Sequence, residues 1–465
     1  MDSFESDGLF WLPGDDENQV AGKISFDQEK GTRLSLIGSF SEPQFGAEFE
    51  ADDERSVIYG VAGKKWLTLT GCSRVSAKHE IPGIYRENYR ADGLFAGQVL
   101  LDADNPTFRE VSFGLKGLFD WVAKNAVRRE YKFSESNRRL ESATLTLDTR
   151  PSEECRAEGC TIALYGTWKL LGSTQNPGFE QDTRFTITYD REVDFTQVQL
   201  DVAAMQDMLT CLTDAATVPA GVSLCVRSKD DEGEARKQRV EFYGQNVAYS
   251  EAKSKKVKKA ILNFEQIGGL PAVARWLDFN RSRRVVLGQS LASKYRPMYV
   301  ENRFLNSVSA AETLHRLEFP NEVKPADEYK SFRKMLVRYV PKKYRGWLSQ
   351  QLAYSNEPRL RHRLRELAIH GEIAAVLGCD PEAWASAVTN ARNRMIHHDK
   401  EKGSAASPTE LYWLSESLRL AVLLSLMRFC EFKEGALQDV AAHDSVKFVA
   451  DRVHKVLHGS LEPGE

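Results

Sequence analysis

The spacing of the apolar residues changes once along this chain, near Gly268, and the change limits the fold to two kinds of unit. Before it, short segments alternate apolar and polar residues, as strands with one buried face do. After it, apolar residues recur every three to four positions, the period of amphipathic helices. At 465 residues the chain is too long for one ordinary core. We therefore predict an α+β multidomain protein, a β-rich sandwich or barrel followed by an all-α bundle.

The same patterns give approximate domain limits. We predict a β-rich N-terminal domain at 1–265, a helical linker at 266–297 and the helical domain at 298–465. Strand patterns separated by turn residues cover 33–40, 56–62, 65–72, 143–147, 161–167, 184–189 and 239–243. Helical patterns cover 300–317, 327–340, 343–354, 359–377, 381–398, 408–432 and 436–458. Asp380 and Ser407 precede Pro381 and Pro408, which predicts capped helix starts at both places.

Charge is unevenly shared between the two parts. The whole chain carries −3, which excludes a general polycation that binds nucleic acid everywhere. From Ala292 onward, 26 Lys and Arg face 22 Asp and Glu, so this part carries +4 and the remainder −7. Eight of the nine histidines also lie there. Polar chemistry is therefore expected in the C-terminal part.

Several features favour a cytoplasmic protein. The first residues are acidic and polar, unlike a signal peptide. The apolar run 420–427 is far too short to cross a membrane; it is a candidate interface stripe, although a core position is the stronger interpretation. The seven cysteines are scattered and odd in number, which favours a reduced compartment. Cys155 and Cys160 lack a second ligand pair, so we expect no metal and no cofactor, although metal binding by these two stays open.

The segment 391–399 carries the residues with the strongest catalytic chemistry. Asn393 and His397 are four apart and share a helix face, so the amide can fix the imidazole ring. Arg392 and His397 are five apart, about 140° around an ideal helix. A histidine can move protons at a ribose 2′-hydroxyl and a leaving 5′-oxygen, and an arginine can stabilise the phosphate. This chemistry needs no metal and leaves 2′,3′-cyclic phosphate and 5′-hydroxyl ends.

The five-residue spacing of Arg392 and His397 is by itself only weakly specific for a catalytic site. The chain repeats it at Arg365…His370, where the intervening residues are typical of packing, and similar spacings occur elsewhere. A surface or capping histidine is an equally good interpretation of His397 from the pattern alone. His398 is an alternative base, since it lies four residues after Arg394.

Arg392-Asn393-x-x-x-His397 near the end of a bundle helix resembles the motif of HEPN domains. The segment 301–317 resembles the first helix of the ApeA-like HEPN branch. The first part resembles the ApeA N-terminal domain, in 36–38, in 58–60 followed by 67–69, and in 118–121.

This resemblance implies an anti-phage defence protein that cleaves RNA, with tRNA or another cellular RNA as the expected substrate, and stops growth by abortive infection. It implies that HEPN domains pair into a homodimer or higher homo-oligomer, and that a phage-encoded trigger or inhibitor acts on the protein. Carried over, Arg392 and His397 are catalytic, Asn393 supports the histidine, and Glu312 orients Arg392. Asp399 stands where HEPN toxins silenced by a nucleotidyltransferase have Tyr, which disfavours that mode of control.

A basic region independently predicts RNA contact. Residues 330–365 contain eleven Lys and Arg, with interleaved aromatic residues and Glu357 as the one acid. The alternative is a solvated helix face. The predicted RNA contacts are Lys334, Arg338, Lys342, Lys343, Arg345, Arg361, Arg365 and Arg394. A rival function is a non-catalytic HEPN scaffold that binds RNA or nucleotide and recruits a partner through its β-rich domain.

Overall fold

The chain divides into two compact units, 1–281 and 282–465. The computed structural model describes residues 3–40, 54–79, 82–102, 105–124, 126–135, 138–148, 151–173, 175–229, 235–245, 259–397 and 406–461. The predicted class is confirmed, because the first unit is β-rich and the second is helical. Of the helices predicted as a linker, Leu270–Arg281 falls in the first unit and Arg284–Tyr295 in the second.

The first unit is built on antiparallel strands that form one large sheet and a separate hairpin. The strands are β1 (Phe4–Trp11), β2 (Val20–Asp27), β3 (Gly31–Ile37), β4 (Glu54–Ala62), β5 (Lys65–His79), β6 (Tyr85–Ala91), β7 (Gly93–Gly97), β8 (Thr107–Leu115), β9 (Val127–Phe133), β10 (Leu140–Leu147), β11 (Glu153–Ala157), β12 (Cys160–Leu171), β13 (Gly178–Asp194), β14 (Pro219–Lys229) and β15 (Ala235–Gly244). The large sheet has the order β11-β12-β13-β8-β14-β15-β7-β5-β4-β1-β2-β3-β6, and β9 and β10 form the hairpin.

Part of the large sheet closes into a six-stranded barrel. β6, at the end of the order, also pairs with β5, which completes the ring β1-β2-β3-β6-β5-β4. Alternating residues of these strands point inward and form one apolar cluster that includes Phe10, Ile24, Leu36 and Ile58. Closure leaves the barrel strands without a free edge, which removes a site for unwanted strand pairing.

Strand β5 is shared by the barrel and the open sheet because it changes partner along one edge. Its segment 66–70 pairs with β7, and its segment 73–79 pairs with β6. Gly71 lies between them at φ 61°, and a Cβ there would lie 2.5 Å from the Asp92 carboxylate. Only glycine fits this position without strain, so Gly71 marks the point where the sheet divides.

Helices cover part of this sheet. They are α1 (Leu118–Val122), α2 (Phe195–Thr213), α3 (Phe264–Ile267) and α4 (Leu270–Arg281). The Asp194 carboxylate caps α2 by accepting from Gln197 N at 2.8 Å. Arg281 donates two hydrogen bonds of 2.9 Å to the buried Asp201, which ties α4 to α2. The last helix of the β-rich unit is therefore held by a buried ion pair.

The second unit is a bundle in which one helix is buried all round. Its helices are α5 (Arg284–Tyr295), α6 (Val300–Glu318), α7 (Ala326–Tyr339), α8 (Arg345–Gln351), α9 (Leu360–His370), α10 (Ile373–Leu377), α11 (Pro381–His397), α12 (Pro408–Phe429), α13 (Ala436–Ala442) and α14 (Asp444–Leu457). Residues 420–427 of α12 are all buried, so this stripe belongs to the core. The segment 359–377, predicted as one helix, breaks where Glu372 adopts φ 52°.

One segment of the second unit has no core of its own. We call residues 326–354 the helical arm; it contains α7, a 3₁₀ turn at Lys342–Tyr344, and α8. All of 326–351 is described, and none of it is buried. At the base of the arm, Val323 N donates to Asn356 O at 2.8 Å. Within it, Arg333 donates to Ser349 O at 2.7 Å, so its two sides lie against each other.

Candidate active site and RNA-binding surface

Helix α11 holds the candidate catalytic residues. The Asp380 carboxylate accepts from Ala383 N at 2.8 Å, and Pro381 is the first helical residue, as predicted. Trp384, Val388 and Ala391 are buried and recur at helical spacing, which fixes the helix on the bundle. The orientation of α11 on the bundle is therefore set by these packed apolar residues and not by the polar residues near the end of the helix.

The polar residues lie in the last two turns of α11. Arg392 is half-buried and Asn393 is exposed. Within the described part of the chain, the Arg392 side chain has no hydrogen bond or ion pair. The helix extends to His397, but the His397 side chain lies outside the described residues, as do His398 and Asp399. The relation of His397 or His398 to Arg392 stays a prediction.

Arg394, two residues from Arg392, has a different environment. It forms an ion pair with Glu410 in the first turn of α12. The same Glu410 donates its backbone N–H to the Ser407 side chain, which confirms the predicted cap. Arg394 therefore joins the end of α11 to the start of α12, and its predicted contact with RNA would compete with Glu410.

Glu312 contacts a neighbour on its own helix. Its carboxylate accepts from Arg316 at 3.0 and 3.3 Å, and Arg316 also donates to Glu357 at 3.0 Å. Among the described side chains, no contact joins Glu312 to Arg392. In this structure Glu312 therefore forms an i,i+4 ion pair with Arg316, and its role toward Arg392 stays a prediction.

A buried polar network links α6 to α9, and sequence reasoning missed it. Arg363 is fully buried and donates to His315 Nδ1 at 3.1 Å, while Glu366 lies 2.7 Å from His315 Nε2. Because an arginine can only donate, His315 accepts at Nδ1 and donates from Nε2, which defines a neutral ring. Burial lowers the pKa of His315 even though Glu366 opposes that shift.

A second cluster of charged side chains surrounds the buried Glu416 on α12. Its carboxylate lies 3.1 Å from Arg419 and 4.0 Å from Lys294, and it also pairs with Arg303 of α6. Arg303 lies 4.4 Å from the Tyr412 ring centroid. Glu416 lies in the sequence shortly before the apolar run 420–427, which was the available signal, since a buried carboxylate requires cations.

Apart from Arg394 on α11, the predicted RNA contacts fall into two sets in the structure. Lys334, Arg338, Lys342, Lys343 and Arg345 lie on the helical arm. The arm as a whole carries seven Lys and Arg against two acids, a net of +5. Tyr339 is 84% exposed and Trp347 61% exposed, so aromatic faces lie open beside these cations.

The other set lies on α9 and is already paired. Arg361 forms an ion pair with Glu382 of α11, and Arg365 lies 3.7 Å from the same carboxylate. Glu382 is 21 and 17 residues away, so the run of basic residues gave no sign of this compensation. These two arginines are less available to RNA than those of the arm.

Metal-binding side chains do not cluster in the described part of the chain, where no group of three or more His, Cys, Asp or Glu could hold an ion. Cys155 is half-buried, and the buried Cys160 accepts from Arg281 at 3.3 Å. Within the same residues, no helix is long and apolar enough to span a membrane.

A β-rich module followed by a helical bundle with Arg392 and Asn393 near the end of one helix defines a HEPN-containing protein. The chain belongs to the ApeA family: ApeA N-terminal domain 1 matches residues 5–276, and Apea-like HEPN matches 305–436. This confirms the resemblance seen in the sequence and places the chain among anti-phage defence HEPN proteins. HEPN domains are generally related to ribonucleases, bind RNA and dimerise. No curated protein and no solved structure matches the chain.

Proposed function

We propose that this protein is a metal-independent endoribonuclease in which Arg392 and His397 perform the cleavage. The observation that supports it most is the contrast within the last turns of α11. Arg394 is neutralised by Glu410, whereas the half-buried Arg392 has no acidic partner in the described part of the chain. An arginine held on a helix, with no counter-ion among the described residues, suits a phosphate whose negative charge grows during reaction.

In the proposed reaction, His397 removes the proton from a ribose 2′-hydroxyl, and the oxygen attacks the adjacent phosphate. The 5′-oxygen leaves with a proton, and the products are a 2′,3′-cyclic phosphate and a 5′-hydroxyl. Asn393 shares a face with His397 and orients its ring. His398 is the alternative base. In the proposed role Glu312 orients Arg392; both hydrogen bonds from Arg316 go to Oε1 of Glu312, so Oε2 can still accept.

Two copies of the HEPN domain supply a complete centre. Because Arg392 and His397 lie about 140° apart around one helix, a single copy does not readily direct both at one phosphate. Facing copies related by a two-fold axis place an arginine and a histidine from each copy in one cleft. The homodimer is therefore part of the proposed mechanism.

The helical arm supplies the RNA contacts. Its lysines and arginines neutralise backbone phosphates, and Tyr339 and Trp347 stack on unpaired bases. Such a surface suits a loop of a folded RNA, of which a tRNA is the proposed example. The N-terminal unit, which contains none of the proposed catalytic residues, restrains the nuclease until a phage-encoded trigger acts, and cleavage then causes abortive infection.

The decisive experiment compares wild-type protein with His397→Ala, Arg392→Ala and His398→Ala during phage challenge. Small RNA is sequenced by a method that reports 2′,3′-cyclic phosphate ends. We expect discrete cyclic ends in wild type and a loss of about 10²-fold or more in the first two variants. If His398→Ala alone removes the ends, His398 is the base.

The matched control is Arg365→Ala with His370→Phe, which alters the other pair with the same spacing. Cleavage should survive in this double variant. Identical RNA ends in wild type and in the variants of Arg392 and His397 would contradict the nuclease. That result, together with retained RNA binding, would favour the non-catalytic scaffold.

A further inference from the structure

The first unit contains a cavity of about 550 Å³ at the place where the open sheet leaves the barrel. Four residues at one level of neighbouring strands, Leu67, Ala96, Glu241 and Ser223, form its floor. Its lining comes from both parts of the sheet, since Ser6 and Ile24 belong to barrel strands and Ser223 and Glu241 to the open sheet. Its volume is typical of small-molecule sites.

One side of the cavity is apolar and partly aromatic. Phe4 and Tyr243 meet edge to face, with ring centroids 5.1 Å apart, and Ile24 behind them is fully buried. Ser6 on β1 also lines this wall. A flat ring of a ligand can rest here, because aromatic rings prefer edge-to-face or offset neighbours.

The floor carries a hydrogen-bonded carboxylate. Glu241 accepts from Lys65 at 2.6 Å and from the Tyr243 hydroxyl at 2.7 Å. Burial opposes ionisation of Glu241, but these two hydrogen bonds outweigh it and lower the pKa of the carboxyl. Lys65 and Glu241 therefore neutralise each other, and the carboxylate keeps lone pairs that can accept from a ligand N–H or O–H.

Arg184 adds a positive charge that no carboxylate balances in the described part of the chain. Its guanidinium donates to the Ser112 hydroxyl at 3.3 Å, to Ser112 O at 3.2 Å and to Gly221 O. Gly221 has φ 56°, and a Cβ there would lie 2.9 Å from Arg184 Nη1. The missing side chain makes room for the guanidinium, which neutral acceptors hold at the cavity wall.

We propose that this cavity binds a mononucleotide. Its base rests against Phe4 and Tyr243, its hydroxyl or amino groups donate to Glu241, and its phosphate binds Arg184. The net charge of Lys65, Glu241 and Arg184 is +1, which suits an anion. The site lies wholly within the first unit and does not depend on the nuclease proposed for the second.

The test is isothermal titration of the full chain with each of AMP, GMP, CMP and UMP, and separately with adenosine and inorganic phosphate. We expect one or more mononucleotides to bind once per chain. The nucleoside and phosphate should each bind at least tenfold more weakly. Affinity for phosphate equal to that for the nucleotide would overturn the proposal, as would no saturable binding of any mononucleotide.

Variants then assign the site. Arg184→Gln removes the charge, and Ser6→Phe fills the cavity; each should weaken binding at least tenfold. Arg156→Gln is the matched control, because this arginine of the same sheet pairs with Asp190 away from the cavity. Arg392→Ala should leave the affinity unchanged. Binding that is lost in Arg392→Ala and retained in Arg184→Gln would place the nucleotide elsewhere and refute the proposal.

Discussion

Helices α9 and α11 both carry an arginine and a histidine five residues apart, yet their surroundings differ. On α9, Arg365 lies 3.7 Å from Glu382, and His370 stacks on Phe429 with ring centroids 4.5 Å apart. On α11, Arg392 has no acidic partner in the described part of the chain. The same spacing thus occurs in two different environments, and we expect the function of such a pair to depend on its neighbours.

The largest expected difference between the two helices is in stability. Arg363→Ala on α9 removes the donor to the exposed Asn321 and to the buried His315, whose Nδ1 is left without a partner. We expect a loss of about 3 kcal/mol or more in the free energy of opening α9. Arg392→Ala, by contrast, removes no described hydrogen bond or ion pair and should cost less than about 0.5 kcal/mol.

Hydrogen exchange of α9 and α11 peptides in the full chain measures both effects, because it reports the opening of each segment separately. Arg363→Lys is a useful second variant, since it keeps the charge and loses the fork that bridges two acceptors. Equal losses from Arg363→Ala and Arg392→Ala would mean that the two helices do not differ as we describe.

The sequence allowed prediction of what depends on local pattern. Alternation and helical period gave the fold class, and the spacing of Arg392, Asn393 and His397 indicated the candidate site. Barrel closure was not predictable, because it depends on β5 exchanging partners at Gly71, a pairing between distant segments. For the same reason the pairing of Arg361 with Glu382 was missed, and Arg363 was counted in a basic surface although it is buried.

The next effect concerns RNA binding and compares the arm with α9. Trp347→Ala on the arm should weaken RNA binding by roughly 1–3 kcal/mol, the typical contribution of one stacked base. Lys334→Ala with Lys342→Ala should also lower the salt dependence, by about 0.7 in logarithmic slope for each lost contact with single-stranded RNA. Arg361→Ala with Arg365→Ala, which removes two paired cations, is the matched control and should have the smaller effect.

These affinities are measured in a His397→Ala background, where the RNA stays intact, at several salt concentrations. If the α9 pair changes the slope as much as the arm pair, the ion pairs with Glu382 do not withhold these arginines from RNA. The division of the basic region into two sets would then be wrong.

The smallest expected effect is the change in the stability of α9 with pH that protonation of His370 causes. Burial, with a smaller contribution from Arg428, lowers the pKa of His370, so the folded unit binds this proton less readily than the unfolded chain. The stability it contributes is therefore complete above the unfolded pKa of about 6.5 and is lost as pH falls through that value toward the lower folded pKa. His315, whose pKa is lowered in the same direction, adds to the trend.

His370→Phe keeps a ring beside Phe319 and Phe429 and removes the titrating group. Between pH 7.5 and 5, α9 should lose less stability in this variant than in wild type, as measured by hydrogen exchange with rates corrected for pH. At pH 7.5 the two proteins should differ little, because both rings are then neutral. Parallel pH profiles would show that His370 is protonated as readily in the folded unit as in the unfolded chain, which would remove one of the physical differences between α9 and α11.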